Sequence, residues 1–209
     1  MTWQVLHHLA GARRLGFDVW YVEDSDTPVY SPTTYCKTSE YTGNVAYLAR
    51  QMASLDLSDR WIFRPPSVYN TCYGALDLAG LQKLYREADT VINLCGAHKL
   101  RPDHSDIRCL VYMETDPVAN QVGIANGDME TIQEIAAYDY LFTYGANLQS
   151  SDCLVPVERF SWVPTRPPVC CDWWATSAPP PSHAALTTVA NWKHTGKDVI
   201  WKGETYYWS

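Results

Sequence analysis

The feature that most constrains this fold is an alternation of short apolar runs with amphipathic stretches from the start of the chain to Gly145. Strand-like runs fall at residues 17–24 (FDVWYVED), 60–63, 90–95, 107–113 and 140–144. Between them, apolar residues recur at helical spacing. Trp3, Leu6, Leu9 and Ala10 share one face, as do Val45, Leu48, Ala49, Met52 and Leu55. Leu78, Leu81, Leu84, Tyr85 and Ala88 form a third such face, and Met129, Ile132, Ile135 and Ala136 a fourth. A short helix is expected over residues 118–124. Strands that alternate with helices build a mainly parallel sheet with helices on both faces, so the expected fold is a Rossmann-like, three-layer α/β domain.

The first helix pattern begins near residue 2 and is closed by Gly16, with Arg13 and Arg14 favourably placed for the helix dipole. Helix, glycine and strand make the second half of a βαβ unit. The expectation is therefore that the first strand is missing and that the natural protein extends further at its N-terminus. Past Ser150 the texture changes, with Pro156, Pro164, Pro167, Pro168 and residues 179–181 among tryptophans. The expected division is a Rossmann-like domain over residues 1–172, a Pro/Trp linker over 173–184, and the truncated start of a second domain over 185–209, led by a strand at 185–192.

The expected working end follows from the run IRCLVYMETDPVANQ. A buried strand ends there at Glu114, Thr115, Asp116 and Pro117. In open α/β sheets, ligands bind outside the carboxyl ends of the strands. The plainer reading is an acidic helix N-cap, with Thr115 or Asp116 accepting from the first free amides. By the same geometry Asn93, Gly96 and His98 end one strand, and Thr143 and Tyr144 end another. Asp116, Glu114 and His98 are the candidate catalytic groups, since carboxylates and imidazole move protons. Asn93, Gly96, Thr115, Thr143, Tyr144, Asn191 and Trp192 are the candidate substrate-binding residues, the last two facing the others from the second domain.

Charge and cysteine content narrow the classes. A formal net charge of −7 argues against a general binder of nucleic acid or anionic membrane, both of which need a basic footprint. No apolar stretch reaches the length of a membrane span. The opening residues lack the basic front of a secretion signal, so a cytoplasmic location is expected. The seven cysteines include no C-x-x-C pair and read as small buried hydrophobes, so no metal site is expected.

The segments TWQVLHHLAGARRLGFDVWYVEDS, YMETDPVANQ, YLFTYGANLQSSDCLVP, SWVPTRPPV and TTVANWK resemble, in this order, uncharacterised bacterial glycosyltransferases of the GT-B architecture. The resemblance covers most of the chain, with gaps over residues 28–89. It implies two Rossmann-like domains across a cleft, the N-terminal one holding the acceptor and the C-terminal one a nucleotide-sugar donor. It also implies no bound cofactor and a diphosphate held by helix N-termini and basic side chains. Glu114-Thr115-Asp116 has the outline of a D-x-D metal motif but stands at a strand-to-helix junction. On this reading the chain is a hexosyltransferase-like fragment, inactive alone. Two alternatives stand beside it. One is an NAD(P)-binding oxidoreductase, with Glu23 or Asp24 holding a ribose at the end of the second strand. The other is a non-catalytic binding or assembly module that uses the Trp-Pro segment.

Overall fold

The computed structural model describes residues 2–66, 68, 70–175, 182–183, 185 and 198–207. Residues 186–192 of the expected strand at 185–192, Asn191 and Trp192 among them, lie outside the described residues. The order of elements is α1 (Thr2–Arg14), β1 (Tyr21–Glu23), β2 (Val29–Tyr30), β3 (Lys37–Thr38), α2 (Thr42–Ala53), β4 (Trp61–Phe63), β5 (Tyr73–Gly74), α3 (Leu78–Glu87) and β6 (Val91–Leu94). There follow β7 (Leu110–Glu114), α4 (Ala119–Ala125), α5 (Met129–Ala136), β8 (Tyr140–Thr143), β9 (Trp162–Pro164), β10 (Val199–Trp201) and β11 (Glu204–Tyr206).

The helices form where apolar spacing placed them, and local signals fix their ends. The Asp77 carboxylate accepts from the Gly80 amide at 2.8 Å and starts α3. Asp128 does the same for α5 through the Glu130 amide. Gly16, at φ +91°, turns the chain out of α1.

The fold is mixed α/β, with a four-stranded, all-parallel sheet in the order β6-β7-β8-β9. The strands divide between sheets where a single one was expected. β1 pairs in parallel with β4, which pairs antiparallel with β5, and β2-β3 and β10-β11 are two-stranded ribbons. The division follows from hydrogen bonding: among the described residues no ladder joins β1 to β6.

β9 arises in a stretch that reads as a proline-broken segment. Pro164 is tolerated because, among the described residues, β9 pairs with β8 alone and stands at the sheet edge. The chain then returns to α1. The Cys170 amide donates to His7 Nδ1 at 3.1 Å, Trp173 stacks on the His7 ring, and Arg14 grips Asp172 with two bonds of 2.7 and 2.8 Å.

Three apolar clusters hold the elements. Leu110, Tyr112, Ile132, Ile135, Leu141 and Trp162 bind α5 to the parallel sheet. Leu6, Leu9, Leu48, Met52, Trp61 and Phe63 pack α1 and α2 on β4. Ile62, Leu81 and Tyr85 join α3 to β4 and are flanked by Val22 of β1 and Val91 of β6, so this cluster touches both larger sheets.

Candidate functional site

Parallel register brings the strand ends into line. Leu94 pairs with Met113 and Met113 with Phe142, while Glu114 pairs with Thr143 and Thr143 with Pro164. The polar residues that follow β6, β7 and β8 therefore sit side by side along one rim.

Glu114 is buried there, and neutral donors surround its carboxylate. Thr143 Oγ1 donates at 2.6 Å, Gln121 Nε2 at 2.8 Å and Asn120 Nδ2 at 3.1 Å. Burial pushes the Glu114 carboxyl above its ordinary range, and the three donors only partly offset this. Thr143 Oγ1 in turn accepts from the Gly145 amide. Tyr144 gives its amide to the Glu114 carbonyl, and its hydroxyl lies 3.2 Å from His8 Nε2 of α1.

Thr115 and Asp116 lie closer to the surface. Thr115 Oγ1 donates to Cys95 Sγ at 3.0 Å, and Asp116 is exposed. Neither occupies the helix cap position. That place falls to Val118, held at φ +94°, with its amide bonded to Gln121 Oε1 at 2.7 Å. A β-branched residue in that region is strained, and here the strain lies between the acidic junction and α4.

Asn93 clamps the turn that leaves β6. Its amide nitrogen donates to the His98 carbonyl at 2.7 Å and to Tyr138 Oη at 2.6 Å, and its oxygen accepts from the His98 amide. Cys95 and Gly96 both take left-handed backbone in that turn, at φ +65° and +64°. Gly96 is required there, because a Cβ would stand 2.8 Å from Tyr112 Oη. His98 turns away from the rim, and its Nε2 accepts from the Asp24 amide at 3.1 Å. Burial pushes the imidazole down to about 4, so it is neutral at pH 7 and already engaged as an acceptor.

A second cluster was not singled out from the sequence. Asp24, fully buried just past β1, is bonded by Arg101, by Tyr85 at 3.1 Å and by Arg64 at 3.5 Å, and lies 3.4 Å from His104 Nε2. Asp103 adds a second carboxylate, 2.7 Å from Arg64. Burial opposes ionisation of Asp24, but the His104 and Arg101 hydrogen bonds and the Arg101 and Arg64 charges win and hold it at about 2. The only sequence signal was an apolar strand ending in two acids. Arg64, Arg101 and His104 come from distant segments.

A cavity of about 480 Å³ lies between α4, residues 156–160 and the β10–β11 hairpin, with Gln121, Phe160 and Trp201 in its wall. Among the described residues no group of three or more His, Cys, Asp or Glu is placed to hold a metal ion. No helix among them is long and apolar enough to cross a membrane.

No family model, curated protein or solved structure matches this chain.

Proposed function

We propose that this chain forms the acceptor side of a GT-B-type glycosyltransferase, moving a sugar from a nucleotide-sugar to a hydroxyl acceptor, a small molecule or glycan. The observation that carries the reading is the alignment of Glu114, Thr115, Asp116 and Tyr144 at the carboxyl ends of adjacent parallel strands. Hydroxyl-bearing acceptors are recognised by such donors and acceptors, and ligands of open α/β sheets bind at this end. β4-β1 and β6-β7-β8-β9 are then two flanks of one Rossmann-like, three-layer sheet.

The exposed Asp116 is the group suited to take the acceptor proton. Buried Glu114 is a positioning residue that fixes Thr143 and the first turn of α4. His98 shapes the turn after β6 and takes no proton in the neutral range. On this reading the donor site belongs to a second domain. Of the two acids the oxidoreductase alternative would use for a ribose, Asp24 is already committed to Arg101, Arg64 and Tyr85, and burial pushes the Glu23 carboxyl above its ordinary range, which disfavours it as a charged ribose acceptor.

NMR chemical-shift mapping tests the reading. Polyol and glycoside acceptors should shift the amides of Thr115, Asp116 and Tyr144 saturably. Nucleotide-sugars should neither bind tightly nor turn over with this chain alone. Saturable NAD binding, or acceptor shifts confined to regions away from this rim, would overturn it.

A further inference from the structure

We propose that the gap between β1 and β6 is a slot for one additional β-strand, apolar on both faces and running parallel to its two neighbours. Among the described residues, each bordering strand is laddered on one edge only. The Tyr21 amide bonds to the Arg60 carbonyl and the Arg64 amide to the Glu23 carbonyl, so residues 21 and 23 serve β4. Backbone polar groups alternate along a strand, so those of Val22 and Asp24 point the other way. The Val91 amide bonds to the Cys109 carbonyl and the Cys95 amide to the Met113 carbonyl, so residues 91, 93 and 95 serve β7. Ile92 and Leu94 therefore present their backbone groups on the opposite edge. Ile92 is left 54% exposed, a large apolar side chain on a strand whose neighbours are half-buried or buried.

The two open edges belong together. The Asp24 amide at the end of β1 reaches His98, four residues beyond β6, so the carboxyl ends of these strands lie side by side. α1 spans the gap on one face. Leu6 and Leu9 pack with Trp61 and Phe63 of the first sheet, while His8 meets Tyr144 beyond β8 of the second. On the other face, the cluster of Ile62, Leu81 and Tyr85 touches both Val22 and Val91. A strand lying between would be covered from both sides. Such strands read as continuous Val, Ile and Leu runs, without the alternation of half-exposed ones.

The sense of the occupant follows from the helix. α1 leads into β1 as the helix-to-strand half of a crossover, and crossovers join parallel neighbours with a right-handed turn. β4 already holds one edge of β1, so the parallel neighbour belongs on the open edge. His98 stands in for it. The imidazole is bonded to the Asp24 amide and the Val22 backbone, the groups that a strand would engage. A side chain that satisfies a strand edge in this way is a removable plug. The slot is independent of any reaction at the rim.

Hydrogen exchange read by NMR tests the slot on the chain as it stands. The probe is a capped peptide of about seven residues, Val, Ile and Leu inside with a lysine at each end. The expected result is at least about a tenfold gain in protection at the Val22, Ile92 and Leu94 amides, with the His98 ring released and titrating closer to an ordinary histidine. A peptide N-methylated at alternate residues keeps its side chains but loses one hydrogen-bonding edge, and should give no gain. Ile92→Pro, which removes an amide facing the slot and none facing β7, should abolish the gain in a protein that keeps its fold. No protection at saturating peptide would overturn the proposal, as would equal protection with the N-methylated peptide. Protection of the same amides in concentrated peptide-free protein, with a dimer on size exclusion, would assign the slot to a second copy and overturn it as well.

Discussion

The hydroxyl of Thr143 donates a 2.6 Å hydrogen bond to the carboxylate of Glu114 across the β7–β8 pair. With Gln121 and Asn120 on the same carboxylate, three donors from two elements depend on one buried acceptor. Glu114→Ala leaves them unpaired and should cost about 3 kcal/mol, whereas Glu114→Gln, which restores one acceptor oxygen, should cost about 1–2 kcal/mol. The sign with pH follows from the raised carboxyl. Its contribution is full below the unfolded value of 4.5 and is lost as pH rises through the folded one. Urea unfolding should therefore show a larger Glu114→Gln penalty at pH 4 than at pH 7.

Asp24 behaves in the opposite sense. Its carboxyl is held at about 2 against an ordinary 3.8, so its contribution is present above 3.8 and lost as pH falls towards 2. Asp24→Asn strands Arg101 against a neutral amide in a buried network and should cost about 3–5 kcal/mol at pH 7. The stability gap between wild type and variant should narrow through that acid window, measured by thermal unfolding across pH.

His98 supplies a third dependence. Burial lowers its pKa from 6.5 to about 4, so stability is full above 6.5 and falls as pH drops towards 4, by on the order of 3 kcal/mol. His98→Gln keeps an acceptor for the Asp24 amide but cannot titrate. Its stability should be flatter than wild type between those limits, and the wild-type ring should titrate near 4 by NMR.

Gly96→Ala tests the turn after β6. The residue has φ +64°, and an added Cβ would lie 2.8 Å from Tyr112 Oη, whose hydroxyl accepts from Asn120 Nδ2 at 2.9 Å. The expected cost is about 1–3 kcal/mol, from left-handed backbone and displacement of a buried ring. Chemical denaturation measures it, and Asn120 side-chain resonances should shift with it.

Asp116→Ala separates chemistry from stability. The side chain is exposed, so the change should alter unfolding free energy by no more than about 0.5 kcal/mol. In a two-domain protein with transferase activity it should lower turnover at least tenfold, about 1.4 kcal/mol of transition-state stabilisation. Unchanged turnover in a folded variant would remove Asp116 from the chemistry.

The sequence by itself determined the helices, most of the strands and the polar junctions that close them. Apolar spacing at 3.6 residues located α1, α2, α3 and α5, and Gly16 marked the end of α1, because these signals are local. Strand geometry then predicted that the residues after β6, β7 and β8 share a rim, and the parallel register aligns them. Only the tertiary structure decided which of those residues are buried. Glu114 and Asp116 are two positions apart and chemically alike, yet one is enclosed by Thr143, Gln121 and Asn120 while the other is exposed. It also decided that Asp24 meets Arg101 and His104, 77 and 80 residues further on, and that β1 and β6 stay unpaired with each other. The reason is physical. Spacing along a chain fixes which face of an element is apolar. Desolvation, ion pairing and open sheet edges depend on which distant segment arrives at that face.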